Sequence, residues 1–401
     1  METDTQSTEN RAKQRHDYVI RVFDSPMEIA PDAWNALCTQ QDTPSPFMQH
    51  AYLAALHTSG SATPSTGWHS QFITLWLGEH LVAGCALYLK DHSYGEYVFD
   101  WAWAKAYADH GLAYYPKALT AVPFTPVPGS RLLAIDGPAR LALLQACITY
   151  CQKQKLSSLH LLFTSPADRV ACDAQGLLQR QTVQFHWENL GFASFDAFLM
   201  SLNQEKRKKI KQERRRVSDA GVSFRCLHGD DIQTQDWDFF YQCYERTYLE
   251  HGNAPYLSRE FFASMQRDMP NNWLLFIAER EQRPIASSLI ALQGIGTPQS
   301  AAYGRYWGAL ERVDCLHFEA CYYQPLHWCI THGVSRFEGG AQGEHKMARA
   351  LMPVTTYSAH WLAHPAFSDA VARFLERETA GVDGYMAHLA ERSPYRLTES
   401  E

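Results

Sequence analysis

From Gln71 to Leu77 the chain reads QFITLWL, a largely apolar run that meets GEH and continues as LVAGCALYLK. Two β-rich runs joined by a short glycine-containing turn predict a hairpin. A further run, EYVFDWAWA from Glu96 to Ala104, predicts a third strand. PARLALLQACITYCQKQK then shows helical spacing, and SLHLLF, Ser158 to Phe163, reads as the strand after it. The second half repeats the order. WLLFIAE turns through REQR into PIASSLIAL, AAYGRYWG follows as a strand, LHFEACYYQPLHWCITHG as a helix stopped at Gly333, and VSRFE as a strand.

Hairpin, strand, helix and strand thus occur twice, which predicts an α/β chain built of two related units. We place a tail at 1–17, the first unit at 18–185, the second at 186–380, and a C-terminal tail or helix at 381–401. Each unit is expected to form a mixed sheet whose third and fourth strands diverge, the two sheets packing pseudo-symmetrically. Between the repeats, Phe195, Phe198, Leu199, Leu202, Ile210 and Val217 follow helical spacing as far as Gly221. WDFFYQCYERTYLEHG predicts a second helix ending at Gly252.

Composition narrows the function classes. Of 401 residues, 46% are hydrophobic and 20% charged, as in ordinary globular proteins. A formal net charge of −7 argues against a surface built broadly for nucleic acid or anionic membrane. The N-terminal stretch METDTQSTENRAKQRHDY has no apolar core of a secretory signal, and no run reaches membrane-span length. With ten cysteines and no CxxC pair, reduced thiols in a bacterial-type cytoplasm are the simplest expectation. The eighteen histidines show no HExxH; His360 and His364 lie four apart without an evident third ligand, so no metal site is predicted.

The phrases YYPKALTAVPFTPVPGSRLL, QFHWEN, KRKKIKQERR, YGRYWG, LHFEACYYQ and GAQGEHK together resemble the FemAB-like predicted N-acyltransferases, labelled peptidoglycan biosynthesis or recognition proteins. The resemblance spans nearly the whole chain from about Gln71. It implies tandem GNAT-like units in which two central strands splay apart and an acyl donor inserts between them. It also implies transfer of an acyl or aminoacyl group to an amine of a peptide or cell-wall-like precursor.

The segment GGAQGEHKMARALMP, Gly339 to Pro353, follows the last strand of the second repeat, where open α/β sheets place ligands. Acyl transfer to an amine needs a proton acceptor, donors for the oxyanion and a hold on the donor. Glu338, Glu344 and His345 are the candidate bases. Lys346 supplies positive charge, with Gln342 beside it as a donor, and Lys346 resembles the lysine that follows the corresponding strand in Fem-type enzymes. The plainer reading is a salt-bridged turn in which Lys346 pairs with Glu344. Where the family has Arg-Gly-Phe, this chain has Arg349-Ala350-Leu351, a change that would narrow a pocket or alter specificity if the glycine admits a substrate.

Eight cations lie between Lys206 and Arg216, with Arg207, Lys208 and Lys211 as candidate phosphate contacts. Like charges at four-residue spacing strain a helix, and a polyanionic partner relieves that strain. A solvated face paired with acids of the first unit explains the run equally well. The connection YWGALERVDCLHFE has one glycine and two acids, a poor cradle for the pyrophosphate of acyl-CoA. No permanently bound cofactor is expected. Of the co-substrates that the resemblance implies, acyl-CoA or aminoacyl-tRNA, this weakly favours aminoacyl-tRNA or another activated donor, as in the Fem relatives.

Alternation sets Tyr303, Arg305 and Trp307 on one strand face, with Arg305 suited to a carboxylate or phosphate. His317, Glu319 and Tyr323 on the following helix are either substrate contacts or a structural network, and Pro325 is expected to kink that helix. Trp103 and Lys117 belong to an aromatic, proline-rooted wall fit for a sugar or peptide acceptor, or for core packing. The partners implied are an amine acceptor, small molecule or peptide, and a tRNA or CoA donor. Two alternatives stay open: an acyl-CoA-dependent N-acetyltransferase of a small amine, and a recognition module without catalysis.

Overall fold

Both hairpins of the repeat are present in the structure, a computed structural model that describes residues 17–341 and 343–396. The first half contributes β1 (Val19–Phe23), β2 (Trp68–Leu77), β3 (His80–Lys90), β4 (Lys117–Thr120), β5 (Leu133–Ala134), β6 (Ser158–Leu162) and β7 (Leu178–Glu188). The second contributes β8 (Val222–His228), β9 (Trp273–Arg280), β10 (Arg283–Gln293), β11 (Ala301–Ala309), β12 (Arg336–Glu338) and β13 (Met352–Leu362).

These strands do not form two sheets, as the repeat led us to expect, but one. Its order is β1-β2-β3-β4-β6-β13-β7-β12-β11-β10-β9-β8, with β5 on β3. Exchanging β1 with β8, β2 with β9, β3 with β10, β4 with β11, β6 with β12 and β7 with β13 turns this order into its own reverse. The halves are thus related by a pseudo-twofold between β13 and β7. The join has a physical cause: each half sends its last strand beside the other's shorter central strand, so β13 pairs with β6 and β7 with β12. Both long strands then find backbone partners on each side. The boundary drawn at 185/186 falls inside β7, and residues 381–390 continue the helix Pro365–Ala390.

One core runs across both halves on one sheet face, uniting Trp34, Tyr52 and Phe72 with Phe240, Phe261 and Tyr303. The opposite faces carry separate cores under the helices Gly137–Lys153 and Gln324–Thr331. The helix Thr234–Glu250 lies against β11 so closely that a side chain at Gly308 would meet the Cys243 carbonyl at 1.9 Å.

Three local readings need correction. EYVFDWAWA is no strand: Trp101–Asp109 is a helix, with Trp103 and Tyr107, four apart, as its buried residues. Alternating Trp and Ala mimics period two, but the third strand is β4. The spacing from Phe195 to Val217 is two helices, Phe195–Ser201 and Gln204–Asp219. The Asn203 side chain accepts from the Lys206 amide and starts the second afresh. Finally, a bulge between Leu289 and Ile290 pairs Tyr306 and Gly304 with successive residues, leaving Arg305 over. Arg305 therefore turns with Tyr306, while Trp307 packs on the opposite face with Val217 and Ala278.

The halves are also tied by a buried polar chain. Tyr114 donates to Asp100 (2.6 Å) and contacts His160, whose Nδ1 lies 2.7 Å from Nδ1 of His360 on β13. Burial, with the Lys117 charge next, pushes His160 down to about 3, and burial likewise holds His360 far below the usual imidazole range. Unfolded imidazoles take protons below about 6.5 while these do not, so the unfolded chain binds more protons there and acid favours it. Their contribution is full above about 6.5 and is lost as pH falls towards 3. Melting temperature is expected to drop between pH 7 and 5, and a His160→Gln, His360→Gln variant to show a flatter slope; equal slopes would exclude the pair as the cause.

Candidate functional site

The two halves differ where their central strands part. In the first, β4 and β6 pair in parallel from Ala118 to Thr120, and the cleft beyond is shut. Gly129 bridges Thr164, and Arg131 fills the gap with Nε on the Leu162 carbonyl (2.7 Å) and Nη2 on that of Val127. In the second, β11 pairs with β12 only from Ala301 to Tyr303, then runs on to Ala309 while the chain leaves at Gly339. The opening holds a cavity of about 150 Å³, lined in part by Arg305, Trp307, His317, Cys321 and Gly339.

Two features keep it open. Gly304 begins the divergence, with Phe337 3.1 Å from where its Cβ would lie. Gly339 ends it, and any side chain there would collide with Leu351 at 2.3 Å. The following helix contains a wide turn, Glu319–Tyr323, just before Pro325. That turn absorbs the amide proline lacks, and helical structure continues on both sides from Leu316 to Thr331.

Lys346 is buried, and its Nζ donates to three carbonyls: Gly339 (2.7 Å), Gly340 (3.2 Å) and Ala341 (2.8 Å). It does not pair with Glu344. That carboxylate is exposed and held by Arg392 at 2.6 Å, which keeps it below the usual range. Burial brings Lys346 down to about 8. His345 is exposed beside the rings of Phe318 and Tyr322. Gln342 lies outside the described residues.

Glu338 is buried and does not line the cavity. Arg336 holds it at 2.8 Å, and its Oε2, without a hydrogen-bond partner, faces His186 at 3.8 Å. Of the residues singled out in the sequence, the cavity brings together Arg305 and His317. His317 lies against the rings of Trp307 and Tyr322; burial, then the charges of His345, Arg349 and Lys346, push it down to about 4. It is neutral at neutral pH, and among the described residues no hydrogen-bond partner occupies its ring nitrogens.

Glu319 and Tyr323 belong to a network behind the cavity. Glu319 meets Arg214 at 3.1 Å, and Tyr323 donates to Glu213, which also takes Arg349 at 2.8 Å. Arg349 lies 3.5 Å from the Phe318 ring centre and donates to the His345 carbonyl. Ala350 has φ +61°, a left-handed conformation that the family's glycine would adopt without strain, and it does not line the cavity. Trp103 and Lys117 lie outside the cleft. Trp103 packs against His360, and Lys117 is buried with Glu96, Asp100 and Ser93.

Sequence reasoning missed Cys321, Glu213, Arg349 and His186. Glu213 stands in the sequence as one of two acids within the cation run and Cys321 as a helical neighbour of His317, neither marked as a site; Arg349 was visible only as a family motif position. Burial pushes the Cys321 thiol up to about 12, so it is no thiolate nucleophile.

On the basic helix, Lys206 pairs with Glu205 and Arg214 with Glu319. Among the described residues no carboxylate pairs with Arg207, Lys208, Lys209, Lys211, Arg215 or Arg216. Pairing with acids of the first unit, one of the two readings of the run, is therefore not found among the described residues. Arg207, Lys208, Lys211 and Arg215 line a groove of about 520 Å³. Among the described residues no helix is long and apolar enough to cross a membrane.

The strand order, the parallel pair that parts and the doubled repeat define an α/β fold of two related units sharing one mixed sheet. Residues 25–397 match the family model FemAB-like, described as peptidoglycan biosynthesis/recognition, and the chain belongs to that family. No curated protein matches it. Among solved structures it is similar to FemX, at 9% identity and TM-score 0.53 over 88% of this chain and all (100%) of that one. It is likewise similar to the C-terminal domain of a putative lysylphosphatidylglycerol synthetase from Agrobacterium fabrum (10%, TM-score 0.52, covering 88% and 97%). A third is L-PGS from Bacillus licheniformis (9%, TM-score 0.51, covering 86% and 97%). At these identities the likeness is one of fold.

Proposed function

We propose that this protein is an N-acyltransferase that moves an acyl or aminoacyl group onto an amine of a peptide or cell-wall-like precursor in the cleft of the second unit. The observation that carries the reading is the cavity between the parted strands β11 and β12, with His317 in its wall and Lys346 locked beneath Gly339. In the step, the amine nitrogen bonds the donor's carbonyl carbon and the bond from that carbon to the donor's oxygen or sulfur breaks. A proton passes from nitrogen to the leaving atom, with neutral His317 as carrier. Lys346 places positive charge where the oxyanion forms. The Cys321 thiol stays protonated, which favours direct transfer over an acyl-cysteine.

An aminoacyl ester of tRNA fits the donor role better than acyl-CoA. At the helix that follows β11, the amides of Leu316, Phe318 and Glu319 already bond to the Val313 and Cys315 carbonyls, so they are not free to cradle pyrophosphate. The unpaired cations of Gln204–Asp219 offer contacts for a polyanion instead. A Lys208→Gln, Lys209→Gln, Lys211→Gln variant is expected to bind tRNA more weakly, with a log–log salt slope shallower by about 2–3. Equal affinity at low and moderate salt would return the run to a solvated face. For the reaction itself, the purified protein is incubated with charged tRNAs or acyl-CoAs and an amine acceptor, and donor loss and amide formation are followed by mass spectrometry. Consumption of neither donor, with an intact fold, would favour a recognition module.

A further inference from the structure

The seam between the two units carries a cation that the transfer step does not use. Arg305, set aside by the β11 bulge, lines the cavity and reaches the proline-rich segment of the first unit. Its Nη2 donates to the Phe124 carbonyl (2.9 Å), the Tyr306 hydroxyl (3.2 Å) and the Thr125 hydroxyl (3.5 Å). All three acceptors are neutral. The guanidinium lies near the rings of Phe47 and Tyr306, centroids at 5.3 and 5.0 Å. Its Nε is buried without an acceptor, and among the described residues no carboxylate is within ion-pair reach. Arg180, Arg214 and Arg349 all have one.

A cation taken out of water without a counter-charge costs stability, and such groups are normally paired. Among the described residues Arg131 also lacks a paired carboxylate, but it is fully buried on two carbonyls and does not line the cavity, whereas Arg305 faces it. We propose that Arg305 binds the carboxylate of the acyl acceptor, so that the acceptor is an amino acid or peptide whose carboxylate sits at the seam while its amine faces His317. This rests on the cleft being the transfer site. It also gives the first unit a task. Its own cleft is shut by the segment around Gly129 and Arg131, and the same segment supplies Phe124 and Thr125 to hold Arg305 in place.

The test is calorimetric titration of the full chain, without donor, using three probes: L-alanyl-L-alanine, its C-terminal amide, and inorganic phosphate. The dipeptide is expected to bind about 10- to 100-fold more tightly than the amide, the range for one hydrogen-bonded charge. An Arg305→Met variant should lose that difference and melt close to wild type, because removing a half-buried cation without a counter-ion offsets the loss of its bonds to Phe124 and Thr125. Equal binding of dipeptide and amide, or binding of neither, would overturn the proposal, and this comparison needs no variant. Phosphate displacing the dipeptide from the wild type would replace carboxylate by phosphate as the ligand. Arg305→Met melting well below wild type would make Arg305 a structural tie. Because no donor is present, a failure of transfer leaves this result standing, and loss of carboxylate preference with transfer intact sinks only the present inference.

Discussion

Lys346→Met is expected to slow single-turnover acyl transfer by about 10²–10³-fold, the order of loss seen when one preorganised electrostatic contribution at an oxyanion is removed. Its three N–H groups are taken by carbonyls, so it acts through charge and not as a direct donor. Methionine keeps the length and apolar stem, so the change isolates the charge. In the wild type that charge rests on the carbonyls of Gly339, Gly340 and Ala341, of which Gly339 lines the cavity. Leaving buried carbonyls unpaired also costs about 1–3 kcal/mol of stability, so the rate has to be read well below the melting transition. With its proton lost near pH 8, the lysine predicts a second result: wild-type transfer bends downward above about pH 8, and Lys346→Arg moves the bend to higher pH. A Lys346→Met enzyme that melts early yet transfers at the wild-type rate would make the lysine a loop clip without a role in chemistry.

How much of this was legible follows from which forces act locally. Both hairpins, the helix from Gly137 and β10 and β11 could be read because each buries one face or is buried throughout, which prints a period on the sequence. The single sheet could not be read, since the crossing of β7 and β13 is a choice between partners far apart in the chain. Trp101 to Ala104 misled because alternation over four residues fits a strand and a helix turn alike; the decisive Trp103–Tyr107 spacing lies further along. At the site, the sequence located the cleft's exit but not the directions of its side chains. Glu344 and Lys346 sit two apart and read as a pair, yet one points to Arg392 and the other beneath Gly339. The bulge at Arg305 was invisible for the same reason: one surplus residue changes every later facing and leaves the composition untouched. The motif position Ala350 was legible as a departure, and its left-handed backbone accounts for the family's glycine.

The second large effect is expected behind the cavity wall. Glu213→Ala should destabilise the fold by about 3–5 kcal/mol, the cost of stripping one partner from a buried ion pair. Glu213 is a buried acid on a helix crowded with cations. It receives the Tyr323 hydroxyl and the Arg349 guanidinium, both themselves buried. Arg349 in turn donates to the His345 carbonyl and lies against Phe318, so this carboxylate is a polar tie between the loop that holds Lys346 and the basic helix, beside the core that Ile210 and Met347 share. Without it the arginine is a buried charge with no counter-ion, and the loop loses its anchor. Replacing both partners, Glu213→Leu with Arg349→Met, should recover most of the stability, since no charge is then stranded. Transfer activity should stay low in that double variant if the pair also holds Lys346 in register. Chemical denaturation and single-turnover rates on the same samples separate the two effects. A Glu213→Ala protein within about 1 kcal/mol of wild type would show that solvent reaches Arg349 and that the anchor does not exist.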